Sequence, residues 1–151
     1  MIRVVVSAEP IDLADEMARA ETGGAGAVAT FTGLVRADAH DDGTVAVLEL
    51  EHYPGATERA LERLADEATE RWSLSAATVI HRVGPMRPGE RIVFVATAAL
   101  HRGAALEACA FLIDRLKTDA PFWKREVRGG VATWVEARHG DEAAAARWST
   151  E

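Results

Sequence analysis

A chain of 151 residues with 48% apolar and 27% charged side chains has the size and composition of one globular domain. At that length roughly two-thirds of the unfolded surface can be buried, so no disulfide or metal staple is required. Seventeen basic against twenty-four acidic residues leave a net charge of −7, which argues against nucleic acid or an acidic membrane as a partner.

The first predicted element is a short strand over residues 2–6, Ile-Arg-Val-Val-Val. Helical spacing follows from Asp12 to Ala20, with Leu13, Met17 and Ala20 on one side and acids on the other. Gly23, Gly24 and Gly26 break the chain before an apolar strand from Ala27 to Val35, and residues 38–43 read as a polar connection. Val45 to Tyr53 alternates apolar and acidic residues, as a half-buried strand does, and is expected to pair with the strand before it. After Pro54-Gly55, Thr57 to Trp72 is the clearest helix: Ala60, Leu61, Leu64, Ala65, Ala68 and Trp72 form an apolar stripe opposite a charged face.

Residues 77–83 and 91–100 are β-rich runs joined by Gly84-Pro85-Met86-Arg87-Pro88-Gly89. A second amphipathic helix is predicted from Ala104 to Lys117, burying Ala105, Ala108, Cys109, Leu112, Ile113 and Leu116, and Pro121 ends it. Two terminal strands flank Gly129-Gly130, and a domain over residues 1–138 is followed by a tail over 139–151. Strands and helices alternate without a regular βαβ cadence, which gives an α+β fold with a largely antiparallel sheet. Cys109 is the only cysteine, so no internal disulfide or thiolate metal cluster can form. No apolar run approaches the roughly 18 residues of a membrane span, and no basic-then-apolar leader pattern opens the chain. The expectation is a cytoplasmic protein without a metal.

Charge is uneven along this order. Residues 1–100 carry nine basic and sixteen acidic side chains, whereas residues 115–128 carry five basic and two acidic. A local cationic patch on an acidic protein points to a specific anion, phosphate being the commonest small one. Fifteen of the basic residues are arginine and only two, Lys117 and Lys124, are lysine. In an alanine-rich chain, coding bias turns solvated lysines into arginines. Lysines that persist are candidates for work a guanidinium cannot do, since an ammonium can lose its proton when desolvated.

Both lysines fall in Lys117-Thr118-Asp119-Ala120-Pro121-Phe122-Trp123-Lys124-Arg125-Glu126. Pro121 bends the backbone after a helix end, and Phe122 and Trp123 offer an apolar wall that desolvates an ammonium. The helix end favours a cation at Lys117. One lysine then holds phosphate while the other does acid–base work, in either assignment.

His101-Arg102, between a strand and a helix, offers a second anion site. Arg36 ends the strand containing Gly33, which leaves room for close approach of a ligand or backbone. His81-Arg82 lies inside a strand and reads as structural, as do His52 and Tyr53 before Pro54. The five histidines never pair at metal-ligand spacing, and no nucleophile-elbow, P-loop or dinucleotide fingerprint is present. The patch alone also fits a phosphate-binding module, a subunit that anchors a partner's tail on Phe122 and Trp123, or a lysine Schiff-base enzyme.

Taken together the residues resemble the large, catalytic subunit of molybdopterin synthase, the MoaE family. The matching pieces are Gly26-Ala27-Val28 with Phe31-Thr32-Gly33-Leu34-Val35-Arg36, then Leu48-Glu49-Leu50-Glu51-His52-Tyr53-Pro54-Gly55, His81-Arg82-Val83-Gly84, His101-Arg102, and the Lys117–Glu126 block. They occur in the family's order across about residues 23–138. Departures are Ala56 where the family usually has methionine, Leu34 where a small or β-branched residue is common, and a short 38–43 connection.

The resemblance implies an α/β-hammerhead type of α+β fold and a homodimer. Each protomer would bind a small ubiquitin-like sulfur-carrier subunit with a C-terminal Gly-Gly, giving a heterotetramer. It implies sulfur transfer from the carrier's thiocarboxylate to cyclic pyranopterin monophosphate, forming the dithiolene of molybdopterin, with no resident cofactor. By the same resemblance Lys117 and Lys124 are the catalytic pair. Leu34, Val35, Arg36, His101, Arg102, Arg125 and Glu126 join them in binding substrate, and Arg138 reaches the neighbouring protomer's pocket.

Overall fold

The structure is a computed structural model and describes residues 1–36, 39–40, 43–128, 131–135 and 145–149. Two sheets meet at one end of a helical layer. The first has the order β1 (Ile2–Ser7), β5 (Ala76–Arg82), β7 (Arg91–Ala99), β2 (Ala27–Leu34). Its β1–β5 pair is parallel and the other two pairs are antiparallel. All seven residues of β5 are buried, as are the last seven of β7, because helices cover both faces of this sheet. Such strands read as continuous apolar runs, which is how residues 77–83 and 91–100 appear in the sequence.

Helix α1 (Leu13–Ala20) lies on one face, over a cluster of Ile11, Ala20, Ile80, Phe94 and Ala96. The Asp12 carboxylate accepts from the Asp15 amide and starts it. Arg3 of β1 holds the nearly buried Glu16 through two hydrogen bonds of 2.8 and 2.9 Å, a bidentate clamp between helix and strand.

Helices α2 (Ala56–Trp72) and α3 (Arg102–Asp119) cover the other face. The Glu58 carboxylate accepts from the Gly55 amide at the start of α2, and the predicted stripe Ala60, Leu61, Leu64, Ala65 and Ala68 is buried. Ser73, in the left-handed region at φ 52°, ends the helix. Helix α3 runs back along β7 and β2: Thr97 donates to the Ala105 carbonyl at 2.7 Å, and Leu116 shares the core with Val93. Cys109 belongs to this core, and burial pushes its thiol up to about 11, so it is inert at neutral pH.

The second sheet has the order β3 (Ala39–His40), β4 (Gly43–His52), β8 (Phe122–Arg128), β9 (Val131–Val135), with β6 (Gly84–Met86) on the other side of β4. The expectation that β4 pairs with the strand from Ala27 to Val35 is therefore corrected. β2 pairs with β7, and β4 pairs with β3, β6 and β8. The reason lies in the side chains. Leu48 and Leu50 of β4 are buried with Val35 and Met86 in a separate cluster, and Phe122 packs against it.

Gly33 serves the close packing of β2 on β7. A Cβ there would sit 2.6 Å from Val93 Cγ1 of the neighbouring strand. Among the described residues no helix is long and apolar enough to cross a membrane, and no group of His, Cys, Asp or Glu could hold a metal ion.

Candidate active site

Lys117 stands exposed in the last turn of α3, and Lys124 is exposed at the third position of β8. Between them the Ala120 amide closes the helix on the Leu116 carbonyl, and Ala120 itself is extended (φ −88°, ψ 131°), the conformation a residue before proline favours. The bend predicted at Pro121 is thus a direct helix-to-strand junction.

Alternation along β8 divides the block between two faces. Phe122, Lys124 and Glu126 lie opposite His52, Leu50 and Leu48 of β4, and Trp123 and Arg125 lie opposite Glu51 and Glu49. Phe122 and Trp123 therefore do not form one wall. Phe122 stacks on the buried His81 ring with centroids 4.0 Å apart, while the half-exposed Trp123 meets Tyr53 edge-on at 4.4 Å. Arg125 is ion-paired with Glu49 on the Trp123 side.

Leu34, Val35 and Arg36 reach the same end of the molecule. Val35 is 5% exposed, fixed by its amide on the Glu90 carbonyl and its carbonyl on the Gly89 amide, and it belongs to the Leu50 cluster that supports β8. Leu34 and Arg36 flank it, exposed.

His101 and Arg102 do not join them within one chain. They open α3, and Lys117 lies fifteen residues later, about 22 Å along the helix axis at 1.5 Å per residue. At that far end His101 makes no side-chain cap and the first turn holds no acidic residue, so the first amides of α3 and Arg102 face outward with positive character. Arg138 lies outside the described residues.

Three contributors escape a reading of the sequence. Thr57, fully buried, donates its hydroxyl to the Pro121 carbonyl at 2.9 Å and accepts from the Tyr53 amide at 3.1 Å. His81 is held down at about 4, chiefly by burial and further by the charges of Lys124 and His52, against the raising effect of its bond to the Arg82 carbonyl. His52 Nε2 lies 3.7 Å from a Glu58 carboxylate oxygen. The only sequence signal for these is the proximity of His52 and Tyr53 to Pro54-Gly55, since the contacts that tie Thr57 to Pro121 and His81 to Phe122 join segments dozens of residues apart.

A family model described as MoaE protein matches residues 6–119. The molybdopterin synthase catalytic subunit of Cereibacter sphaeroides is 52% identical over 149 residues, spanning 97% of this chain and all of its own. That of Escherichia coli is 50% identical over 147 residues and 97% of each chain. Among solved structures, the MoaE protein from Burkholderia ambifaria superposes with a TM-score of 0.84 at 46% identity over the whole of both chains. Molybdopterin synthase from Staphylococcus aureus does so with 0.80 at 30% identity, over 89% of this chain and 96% of that one. With the fold, the ordered motifs and these relatives in agreement, the chain belongs to the MoaE family.

Proposed function

We propose that the chain is the large, catalytic subunit of a molybdopterin synthase, acting in the cytoplasm. It takes sulfur from the C-terminal thiocarboxylate of a small ubiquitin-like carrier subunit and delivers it to cyclic pyranopterin monophosphate. Two such transfers build the dithiolene of molybdopterin, within the biosynthesis of the molybdenum cofactor. The observation that carries this reading is the placement of the chain's two lysines on either side of one helix-to-strand junction, with Arg36 brought to the same end of the fold through Val35.

The chemistry explains why cations gather there. The substrate carries a cyclic phosphate and the incoming tail is a thiocarboxylate, so two anions must approach within a few ångströms in a partly dry cleft. Their repulsion is large in such surroundings and is offset by fixed positive side chains. Lys117 and Lys124 assist attack of the thiocarboxylate sulfur and move protons, work that an arginine's permanent charge does not permit. Arg36, His101 and Arg102 hold the phosphate and pterin, with Leu34 and Val35 beside them, and Arg125 and Glu126 extend the site. The sulfur arrives on the carrier, so this subunit needs no cofactor of its own.

The length of α3 shapes the assembly. A homodimer that sets the α3 N-terminus of one protomer against the α3–β8 junction of its partner brings all the basic residues into one cleft, with Arg138 contributed across the same boundary. One carrier on each protomer then makes a heterotetramer. Reconstitution with thiocarboxylated carrier and the cyclic pterin, followed by oxidation to a fluorescent pterin, tests the reading. The synthase forms product, whereas a binding module retains the pterin and forms none.

A further inference from the structure

His81 is the penultimate residue of β5 and shares with Ala77 and Val79 the face of the first sheet that α2 and α3 cover. It is 7% exposed, and its ring lies nearly parallel to Phe122, with centroids 4.0 Å and planes 24° apart. Its Nδ1 sits 2.8 Å from the Arg82 carbonyl oxygen. A carbonyl only accepts, so Nδ1 carries the proton and the neutral ring keeps its lone pair on Nε2. Phe122 and Lys124 are alternate residues of β8 and share a face, so the ring that seats Phe122 also seats the strand carrying the lysine.

The strands on either side of His81 set Val6 and Val93 opposite it, so the charged and titratable groups near the ring come from other elements and from its own strand. They are Lys124 from β8, His52 from β4, Glu58 from α2 beside His52, and Arg82 from β5, whose guanidinium donates to the Ala8 carbonyl at 2.8 Å and lies 3.6 Å from a Glu90 carboxylate oxygen. A protonated imidazole here would repel the lysine ammonium. An uncharged one leaves the positive charge to the lysine and presents a polar edge.

We propose that His81 is a positioning residue for Lys124: an imidazole locked by the Arg82 carbonyl and by Phe122 sets where the lysine stands and how readily it releases its proton. Its consequence for turnover rests on the role of Lys124 given above, while the coupling of the two side chains does not.

The lysine census supplies the test. Lysine labelled at the ε-carbon gives two side-chain resonances, told apart with Lys117→Arg. His81→Phe keeps a flat ring against Phe122 and removes both nitrogens. The Lys124 titration midpoint then falls by about half a unit or more, because the ammonium loses a polar neighbour, and Lys117 does not move. A Lys124 midpoint that is unchanged or raised overturns the proposal.

The reverse arm leaves the core intact and stands even if His81→Phe fails to fold. Lys124→Ala raises the His81 midpoint, since a positive charge that disfavours the imidazolium is gone. An unmoved His81 overturns the proposal. In the reconstituted synthase His81→Phe lowers kcat about tenfold with KM for the pterin unchanged, and a change confined to KM contradicts positioning. Full turnover by Lys124→Ala would overturn the role of His81 in the reaction, and the assigned function of the lysine with it. The coupling seen by NMR would survive that result.

Discussion

Thr57 and Pro121, 64 residues apart, are joined by a hydrogen bond in which the buried threonine hydroxyl donates to the proline carbonyl at 2.9 Å. The same hydroxyl accepts from the Tyr53 amide, so the first turn of α2 grips the junction that separates the two lysines. A proline leaves its own carbonyl as the natural handle at such a bend, because it has no amide to donate.

Thr57→Val keeps the shape and removes the hydroxyl, leaving the Pro121 carbonyl and the Tyr53 amide without that partner. It is expected to cost about 1–3 kcal/mol in urea unfolding and to slow sulfur transfer, while Thr57→Ser restores most of both. Wild-type turnover in Thr57→Val would show that the junction holds its shape without this bond.

Complementation tests whether the basic residues of α3 work across a subunit boundary. Lys117→Ala and Arg102→Ala are each expected to be inactive alone. When the two are unfolded together and refolded as a mixture, half the dimers are mixed and one of their two clefts is intact, which restores about a quarter of wild-type activity. Sites confined to single chains would recover nothing.

Stability should follow His81. Its folded midpoint of about 4 lies below the ordinary 6.5, so between these values the unfolded chain binds the extra proton. The contribution is fully present above about pH 6.5 and is lost as pH falls toward 4. Urea unfolding should show about 2 kcal/mol less stability from this group at pH 5 than at pH 7.5, and His81→Phe should remove that part of the slope. An equal slope in the variant would assign it to other groups.

The described residues 145–149 are anchored by Trp148 and by Arg147, whose guanidinium pairs with Asp114 at 2.8 Å. Trp148 packs edge-on against Trp72 and Phe111, donates its indole N–H to Asp114 at 2.6 Å, and its carbonyl accepts from Arg71 at 3.0 Å. Trp148→Ala is expected to cost about 2 kcal/mol and to hasten proteolysis of the C-terminal residues. Trp148→Phe should lose less, because it gives up the bond to Asp114 and keeps most of the packing.

Local periodicity carried the helices and most strands. The stripe from Ala60 to Ala68 and the glutamate at position 58 are enough to place α2, and Pro121 places the end of α3 within two residues. The partner of β4 was not legible, because Leu48 and Leu50 read as apolar whichever strand lies alongside. Only the cluster with Val35 and Met86 decides the pairing.

The lysines stood out by their scarcity among fifteen arginines. Thr57 and His81 did not, since a buried threonine and a strand histidine gain meaning only from the Pro121 carbonyl at the junction and the Phe122 ring of β8. His101 and Arg102 open a helix of 18 residues whose last turn carries Lys117, and that length is the reason the proposed cleft draws on two chains.

The most direct measurement is product formation by the variant in which Lys117 and Lys124 are both alanine, with thiocarboxylated carrier and cyclic pterin supplied in excess. Carrier binding should persist and the fluorescent oxidised pterin should be absent. Product at the wild-type rate would contradict the assignment of the chemistry to this pair.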